Sequence, residues 1–360
     1  MATVDPNHVE ITEFTIRNLS EFLQAIDDHL YLSTDISSMM LRGESQKFDT
    51  RLASIFRNPG AFGQLSQMLD TFQRDTYRLF SAHDSQALMA LGQHYGLKTQ
   101  LLDITNQPLT ALYFATKEAA GDGYIYTFDP YFQLDISELY PLNRSITLND
   151  LFLNDPIITK ALISKIKSQT TLCLGANFSG ILGGIQKFLR ELPRELHVFL
   201  GGTTLKIYDL EKALNSFMQN EYSEDGYLSL ITNPLIKTDL NFIFRQLDVN
   251  IFAIDSFEQV PILYVALVIF ILSELSKVRL NDWSMNSKCL NFLPQFFYQP
   301  LLDDSRVNLQ KGQFFVQLPL ISTGHIYFVQ SVPERYTFRI PEENKAQVSK
   351  ELQLLGINET

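Results

Sequence analysis

The sequence is poor in cysteine and has no cluster of metal-binding residues. It contains two cysteines in 360 residues, Cys173 and Cys289, and no Cys-x-x-Cys pair. A structural zinc site is therefore not expected, and we expect no bound metal. Two scattered cysteines are typical of a reducing compartment, so the sequence favours a cytoplasmic protein. A single disulfide bond between them stays open as an alternative.

The sequence also lacks a long apolar run. Its longest one, PILYVALVIFIL at 261–272, falls short of the roughly 18 to 20 residues that a helix needs to cross a bilayer. Ser273 and Glu274 follow it at once, so we interpret the run as a buried core helix. The first residues, MATVDPNHVEITEF, contain acids and no apolar segment of a signal peptide. We therefore expect no membrane partner.

Positive charge is scarce relative to negative charge. The chain has 29 Lys and Arg residues against 40 Asp and Glu residues, which gives a net charge of -11. A negative field disfavours non-specific binding to nucleic acid, so we do not expect a nucleic-acid partner. A local basic pocket stays open, because Arg51 and Arg57 follow Arg42 closely in the sequence.

Several common catalytic motifs are absent. There is no HExxH motif and no dinucleotide-binding fingerprint. Ser179 in GANFSG lacks the preceding spaced glycine of a nucleophile elbow. The glycine-rich segment 175–184 lacks the Lys-Ser/Thr of a phosphate-binding loop, so we interpret it as a turn. Zinc proteases, serine hydrolases of this type and P-loop enzymes are therefore disfavoured.

Hydrophobic periodicity predicts alternating strands and helices in the first 130 residues. Residues 9–16 alternate like a strand, and Asn18 to Glu21 resemble a capping box that opens a helix to about Leu30. A strand over 39–43 and a helix over 62–80 follow.

The next segment predicts helix, strand, helix and strand over 84–128. The first helix ends at Gly96 in a left-handed conformation, and 99–104 is a strand. The second helix has Asn106 as N-cap and Pro108 in its first turn, and it ends at Gly121. Residues 124–128 form the last strand of the segment.

The rest of the chain is less regular. We predict helices over 145–168, 184–190 and 262–278, strand-like pieces over 198–209, and strands over 308–318, 323–332 and 336–340. A closing helix over 343–355 places Val348, Leu352 and Leu355 on one face.

Polar residues stand at the joints between elements, where packing does not require them. The segments that carry them are LRGES at 41–45 and GQHYGLKTQLLDITNQPLTALYFA at 92–115; the residues are Arg42, His94, Tyr95, Asp103 and Thr105. Four of them also have a structural interpretation. The arginine suits a strand-end salt bridge, the histidine a helix C-terminus, the aspartate an Asx turn and the threonine an ordinary strand end.

These two segments resemble the FRG domain, which is named for its aromatic-Arg-Gly motif. RVNLQKGQF at 306–314 and KAQVSKELQLLGINE at 345–359 resemble further segments of that family. The resemblance runs roughly from residue 35 to 360, with a divergent middle. Leu41 replaces the usual aromatic residue, Ala53 a frequent proline, and Ile104 the tryptophan that often follows Leu-Leu-Asp.

The resemblance implies an α+β fold. Its expected form is an ADP-ribosyltransferase-like split β-sheet flanked by helices, with a mostly helical insertion. The division that follows is an N-terminal extension (1–34), the first part of the core (35–134), the insertion (135–300) and a C-terminal part of the core with strands and a helix (301–360).

Remote similarity to ADP-ribosyltransferases of the Arg/Ser/Glu type implies the site. Arg42 matches the arginine strand, 103–105 with 111–115 match the second motif, and Gln310 lies near the position of the glutamate. The implied substrate is NAD, with Arg42 on its phosphates and Thr105 on its ribose. The candidate catalytic residues are Arg42, Asp103 and Gln310, and the candidate substrate-binding residues are Arg42, His94, Tyr95 and Thr105.

The implied function is an NAD-dependent ADP-ribosyltransferase or NAD glycohydrolase that acts as a toxin-like effector, with bacterial antiphage defence as a setting. Cleavage passes through a cationic sugar, which a carboxylate stabilises and Gln310 does not. Either Asp103 supplies the charge, or the pocket binds without turnover. The alternative is a non-catalytic nucleotide-sensing or protein-interaction module in which 135–300 contacts a protein partner.

Overall fold

A computed structural model describes a large part of the chain. The described residues are 12–28, 40–48, 51–76, 87–117, 120–128, 133–139, 143–170, 268–269, 271–272, 293–300, 313–322, 324–330 and 334–357. The predicted elements at 184–190 and 198–209 lie outside these residues, as does most of the predicted helix at 262–278.

The chain divides into two compact units. The first comprises 1–137, 295–316 and 332–360, and the second comprises 138–294 and 317–331. The strands are β1 (Thr12–Thr15), β2 (Met40–Glu44), β3 (Leu101–Ile104), β4 (Gly123–Phe128), β5 (Gln133–Asp135), β6 (Gln295–Tyr298), β7 (Gln313–Val316), β8 (Pro319–Ser322), β9 (His325–Val329) and β10 (Glu334–Ile340). The helices are α1 (Leu19–Ile26), α2 (Leu65–Thr76), α3 (Leu88–His94), α4 (Pro108–Thr116), α5 (Pro156–Thr170) and α6 (Glu342–Leu354), with short 3-10 helices at Ser54–Arg57 and Pro59–Gln64.

The first unit contains two four-stranded sheets. The first sheet has the order β1-β10-β4-β2, in which β1 and β10 run parallel and the other pairs antiparallel. The second sheet has the order β3-β7-β6-β5, in which only the β5–β6 pair is parallel. The α+β expectation is met in its coarse form, as a mixture of helices and several sheets.

One backbone bridge joins the two sheets. The Leu41 N–H donates to the Thr105 carbonyl at 2.8 Å, and the Thr105 N–H donates to the Leu41 carbonyl at 2.8 Å. Leu41 lies inside β2, whereas Thr105 directly follows β3. The polar residues around 42 and 103 are therefore brought to the place where the first sheet meets the second.

Helices cover one face of the first sheet. Inward residues of the strands alternate in sequence, as the pleat of a strand requires. The buried cluster on this face contains Ile16, Phe22, Leu41, Leu112, Ile125, Phe338, Ile340, Val348 and Leu352. Helix α1 begins as predicted: Asn18 Oδ1 accepts from the Glu21 N–H at 2.8 Å, and Glu21 Oε2 accepts from the Arg17 N–H at 2.8 Å.

Helix α4 approaches the first sheet at backbone distance. A Cβ atom on Gly43 would lie 1.9 Å from the Ala111 carbonyl oxygen, and one on Gly123 would lie 2.1 Å from that of Ala115. Ala111 and Ala115 are one turn apart and fully buried. Glycine in β2 and β4, opposite alanine in α4, is what allows this close packing.

Helix α6 is tied to the ends of two strands. The Lys345 ammonium donates to the Ser45 carbonyl at 2.8 Å and to the Gly121 carbonyl at 3.2 Å. Burial lowers the pKa of Lys345. The Asp122 carboxylate accepts from the Glu342 N–H at 3.0 Å and so caps α6, and it also accepts from Arg339 at 2.9 Å. The C-terminal helix is thereby fixed to β2 and β4.

The second unit, within its described residues, contains the β8–β9 hairpin and α5. The range predicted to be helical, 145–168, is divided into a π-helical turn at Asp150–Asn154 and the helix α5. Asp155 Oδ1 accepts from the Ile157 and Ile158 N–H groups, and Pro156 follows it, so a new helix begins there. The Asn149 side chain bonds both the N–H and the carbonyl of Ile321 beside this turn.

Three predicted details of the helices need correction. The N-cap of α4 is Gln107 instead of Asn106, and the helix ends at Thr116, before the glycines. Leu355 is 58% exposed because α6 ends at Leu354. The left-handed Gly96 after α3 is confirmed, with φ of 90°. Among the described helices, none is long and apolar enough to cross a membrane.

Candidate functional site

The second face of the first sheet carries polar and aromatic side chains. Arg42 lies opposite Tyr126, and Glu44 opposite Tyr124, in the antiparallel β2–β4 pair. Directly opposed residues of a pair point to the same side of a sheet. On β10, Thr337 lies opposite Tyr126. We call these residues, Arg42, Glu44, Tyr124, Tyr126 and Thr337, the polar face.

Arg42 is held by contacts on two sides. Its Nε donates to Glu44 Oε1 at 2.7 Å, and its Nη1 donates to the Asp103 carbonyl oxygen at 2.8 Å. Nη1 also lies 3.7 Å from Asp103 Oδ2. Within the described residues, no acceptor takes a hydrogen bond from Nη2. The guanidinium is therefore fixed in orientation, with one nitrogen left to donate to a ligand.

Asp103 presents an exposed carboxylate beside this arginine. Its side chain is 67% exposed, and Gln93 Nε2 donates to its Oδ1 at 2.7 Å. Gln93 in turn accepts from the hydroxyl of the buried Thr99. Gln93 was not among the predicted site residues. It lies in the last turn of α3, shortly before β3, and this position brings its side chain to Asp103. A carboxylate with fixed position and open access is the result.

Glu44 is a second site residue that the sequence prediction missed. Its side chain is only 2% exposed, and Oε1 pairs with Arg42. Oε2 is buried and has no hydrogen-bond partner. The position of Glu44 beside Arg42 was predictable, because residues 42 and 44 of one strand point to the same face. Arg42 is thus compensated by a buried carboxylate inside its own strand.

Tyr126 stands beside Arg42 under a second arginine. The Arg51 guanidinium carbon lies 3.5 Å from the Tyr126 ring centroid, and Nη1 pairs with Glu334 at 2.7 Å. Burial raises the pKa of Tyr126 to about 12, although the positive charge of Arg51 opposes the shift. Arg51 therefore lies on the polar face, but with its own carboxylate partner.

The hydroxyl of Thr105 serves the backbone. Thr105 is 6% exposed, and its Oγ1 accepts from the Gln107 N–H at 3.1 Å. This bond shapes the start of α4. The neighbouring Asn106 has a buried Oδ1 without a partner. The structure thus brings Thr105 next to Arg42 and Asp103 through the Leu41 bridge, with its hydroxyl already engaged as an acceptor.

His94 and Tyr95 lie at the end of α3, on the surface. Tyr95 is 59% exposed, and its ring contacts Phe72 at 5.9 Å and His94 at 5.6 Å. In the described part of the chain, no hydrogen bond or ion pair joins His94 to Arg42 or Asp103. The contacts therefore bring Arg42, Asp103 and Thr105 together, and the predicted roles of His94 and Tyr95 stay predictions.

Two further predictions concern Gln310 and metal binding. Gln310 lies outside the described residues, so its predicted role stays a prediction. Among the described side chains, no group of three or more His, Cys, Asp or Glu residues could hold a metal ion. The described site consists of a guanidinium donor, an exposed carboxylate acceptor and a buried carboxylate. Such a site can bind a polar ligand and stabilise positive charge near Asp103.

A family comparison covers this part of the chain. Residues 37–123 match the model of the FRG domain, which confirms the predicted resemblance over that segment. The match includes β2, β3 and α4, and therefore Arg42, Asp103 and Thr105. The segments 306–314 and 345–359 lie beyond it. No curated protein and no solved structure matched the chain.

Proposed function

We propose that this chain, which contains an FRG domain, cleaves the bond between nicotinamide and ribose in NAD, as an ADP-ribosyltransferase or an NAD glycohydrolase. The observation that carries the proposal is the Asp103 carboxylate. It is 67% exposed, yet Gln93 holds it at 2.7 Å and Arg42 lies 3.7 Å away. A carboxylate held in this way keeps a fixed position while it stays open to a ligand.

The chemistry of the bond requires such a group. As nicotinamide leaves, positive charge develops on the ribose, and a carboxylate fixed close to it lowers the energy of that state. Because Gln93 and Arg42 fix the Asp103 carboxylate beforehand, little reorganisation is needed when the charge appears. Of the two alternatives that the sequence left open, this proposal takes the one in which Asp103 supplies the charge that Gln310 lacks.

An ADP-ribosyltransferase-like split sheet belongs to the same proposal. The support is the Leu41–Thr105 bridge, which connects the two sheets next to Arg42 and Asp103. In this proposal the ligand binds where the sheets part. A cytoplasmic, toxin-like effector role in bacterial antiphage defence follows from the resemblance and is tested by growth arrest on expression, which an inactive variant would not cause.

A second candidate is a sensor that binds a nucleotide without turnover. The separation of 3.7 Å between Arg42 Nη1 and Asp103 Oδ2 favours it, because the arginine charge offsets part of the carboxylate charge. A partly neutralised carboxylate stabilises a cationic sugar less well. In this alternative the nucleotide changes how the protein contacts a partner through 135–300.

Nicotinamide release separates the two candidates. We expect purified protein to release nicotinamide from NAD, and Asp103→Asn to lower kcat by about 100-fold with a smaller change in KM. Arg42→Ala should raise KM as well, because the guanidinium holds both ligand and carboxylate. Asp70→Asn, an exposed carboxylate on α2, is the matched control and should leave release unchanged.

The outcomes differ clearly. Thermal protection by NAD without nicotinamide release supports the sensor. If NAD causes neither nicotinamide release nor thermal protection, NAD is not the ligand. Release that Asp103→Asn leaves intact would remove Asp103 from the mechanism while keeping the activity.

A further inference from the structure

The charges around Arg42 do not suit a phosphate. Glu44 Oε1 lies 2.7 Å from Nε, and Asp103 Oδ2 lies 3.7 Å from Nη1. One guanidinium thus faces two carboxylates, and the group as a whole is negative. An anion that approached the open Nη2 would be repelled by both carboxylates.

Neither salt nor a small movement of the chain removes the negative charge of Glu44 from the neighbourhood of Arg42. The Glu44 side chain is only 2% exposed, so counterions screen it weakly. Its Oε2 has no hydrogen-bond donor to spread the charge. Glu44 also lies in β2 itself, two residues from Arg42, so the pair moves as one body. A phosphate would have to displace Asp103 and still meet Glu44.

The start of α4 offers little to an anion either. Helix N-termini bind phosphate through free backbone N–H groups. Here Pro108 at the first position has no N–H, and the Gln107 N–H already donates to Thr105 Oγ1. Two of the groups that would hold a phosphate next to Thr105 are therefore missing or used.

A neutral pair of neighbouring hydroxyls fits these atoms. Each hydroxyl of a ribose both donates and accepts a hydrogen bond. Arg42 Nη2 supplies a donor, and the exposed Asp103 carboxylate supplies an acceptor. We infer that Arg42 and Asp103 bind a ribose diol instead of the phosphates, with Glu44 as a positioning residue that sets this preference. The inference rests on the proposed function, and it replaces the phosphate role predicted for Arg42.

NAD contains two riboses, so the test uses a separate probe for each. Isothermal titration of the full chain compares adenosine, nicotinamide riboside and inorganic pyrophosphate. We expect one nucleoside to bind at least about tenfold more tightly than pyrophosphate, with little dependence on salt for adenosine. Tighter binding of nicotinamide riboside places the cleaved ribose at Asp103, as the proposed function requires, whereas tighter binding of adenosine places the other ribose there and removes Asp103 from bond cleavage. Either result identifies the nucleoside whose ribose binds. If it is adenosine, 2′,3′-dideoxyadenosine should bind at least about tenfold more weakly, because it lacks the diol.

Removing one negative charge should reverse the preference. Asp103→Asn and Glu44→Gln should each improve pyrophosphate binding by about tenfold, and Asp103→Asn should also weaken the nucleoside. Asp70→Asn changes the net charge equally at an exposed position on α2 and should change neither. Because Asp103 is 67% exposed, its variant tests the inference even if Glu44→Gln does not fold.

Three results would overturn the inference. Pyrophosphate could bind the unaltered protein as tightly as the nucleosides, with affinity that falls steeply with salt. Asp103→Asn could leave the preference unchanged. NAD could fail to bind altogether, in which case the proposed function falls too. The first two, with NAD still bound, overturn only the assignment of the ribose.

Discussion

The two faces of the first sheet are made by alternate residues of the same strands, yet they are held in different ways. On one face Leu41, Ile125 and Phe338 pack under helices and are fully buried. On the other, Tyr124 and Tyr126 belong to a second buried cluster with Met40, Phe128 and Phe315, and ion pairs and a ring contact place Arg42 and Arg51 beside them. A shift of register by one residue would exchange the two sets.

The difference lies in how each face uses space. On the helix-covered face, backbone packs against backbone: a Cβ added to Gly43 would lie only 1.9 Å from the Ala111 oxygen. The polar face leaves a buried Glu44 oxygen without a partner. Both faces thus contribute buried packing, but only the polar face also keeps polar groups that a ligand or a bound water can use.

The largest effect is expected from breaking the packed face. Gly43→Ala would place a methyl group on the α4 backbone, which cannot turn away as a side chain can. We expect a loss of about 3 kcal/mol or more in the free energy of unfolding, measured by urea denaturation. Gly63→Ala is the control, because a Cβ there meets nothing within 4 Å. Equal stability of both variants would contradict the close packing of α4.

A smaller effect should come from the polar face at alkaline pH. The pKa of Tyr126 is raised by burial to about 12, above its ordinary value of 10.0. Its contribution is therefore complete below pH 10 and is lost as pH rises towards 12. The free energy of unfolding should fall between pH 8 and pH 11, and Tyr126→Phe should make this fall smaller by about 1.5 kcal/mol, after allowance for solvent screening.

The measurement is urea unfolding at pH 8 and pH 11 for both proteins. Tyr95→Phe, at a tyrosine that is 59% exposed, is the matched control for the removal of a hydroxyl. An alkaline slope in Tyr126→Phe as steep as that of the unaltered chain would show that Tyr126 ionises freely in the folded protein.

The smallest effect concerns a helix that covers the packed face. Asn18→Ala removes the acceptor of the Glu21 N–H at the start of α1. We expect a loss of about 1 kcal/mol, measured by thermal unfolding, with no change in ligand binding. Gln24→Ala on the exposed side of the same helix should cost less. A larger effect of Asn18→Ala on binding than on stability would mean that the two faces are coupled.

Local patterns in the sequence predicted much of this architecture. The strands β2, β3, β4 and β10, the capping box and the left-handed Gly96 all follow from neighbouring residues. The parallel pairing of β1 with β10 does not, because no local pattern connects strands at opposite ends of a chain. The order of strands in the sheets was accordingly not predictable.

The candidate site was predictable in part for the same reason. Arg42 and Asp103 lie within β2 and β3 and Thr105 directly follows β3, and the structure brings the three together. Gln93 and Glu44 were missed because their importance comes from the partner that each one meets. His94 was predicted from its neighbours in sequence, and it lies exposed at the end of α3, so its predicted role stays a prediction.

Because β10 lies near the end of the sequence, the first sheet can be completed only late in synthesis. Arg339 of β10 donates to Thr15 of β1, across 324 residues of chain. β4 has β10 as a neighbour, and β3 has β7. A nascent chain that has left the ribosome only as far as residue 300 therefore holds β3 and β4 without these neighbours. Open strand edges aggregate, so translation speed and chaperones should govern the yield of this protein.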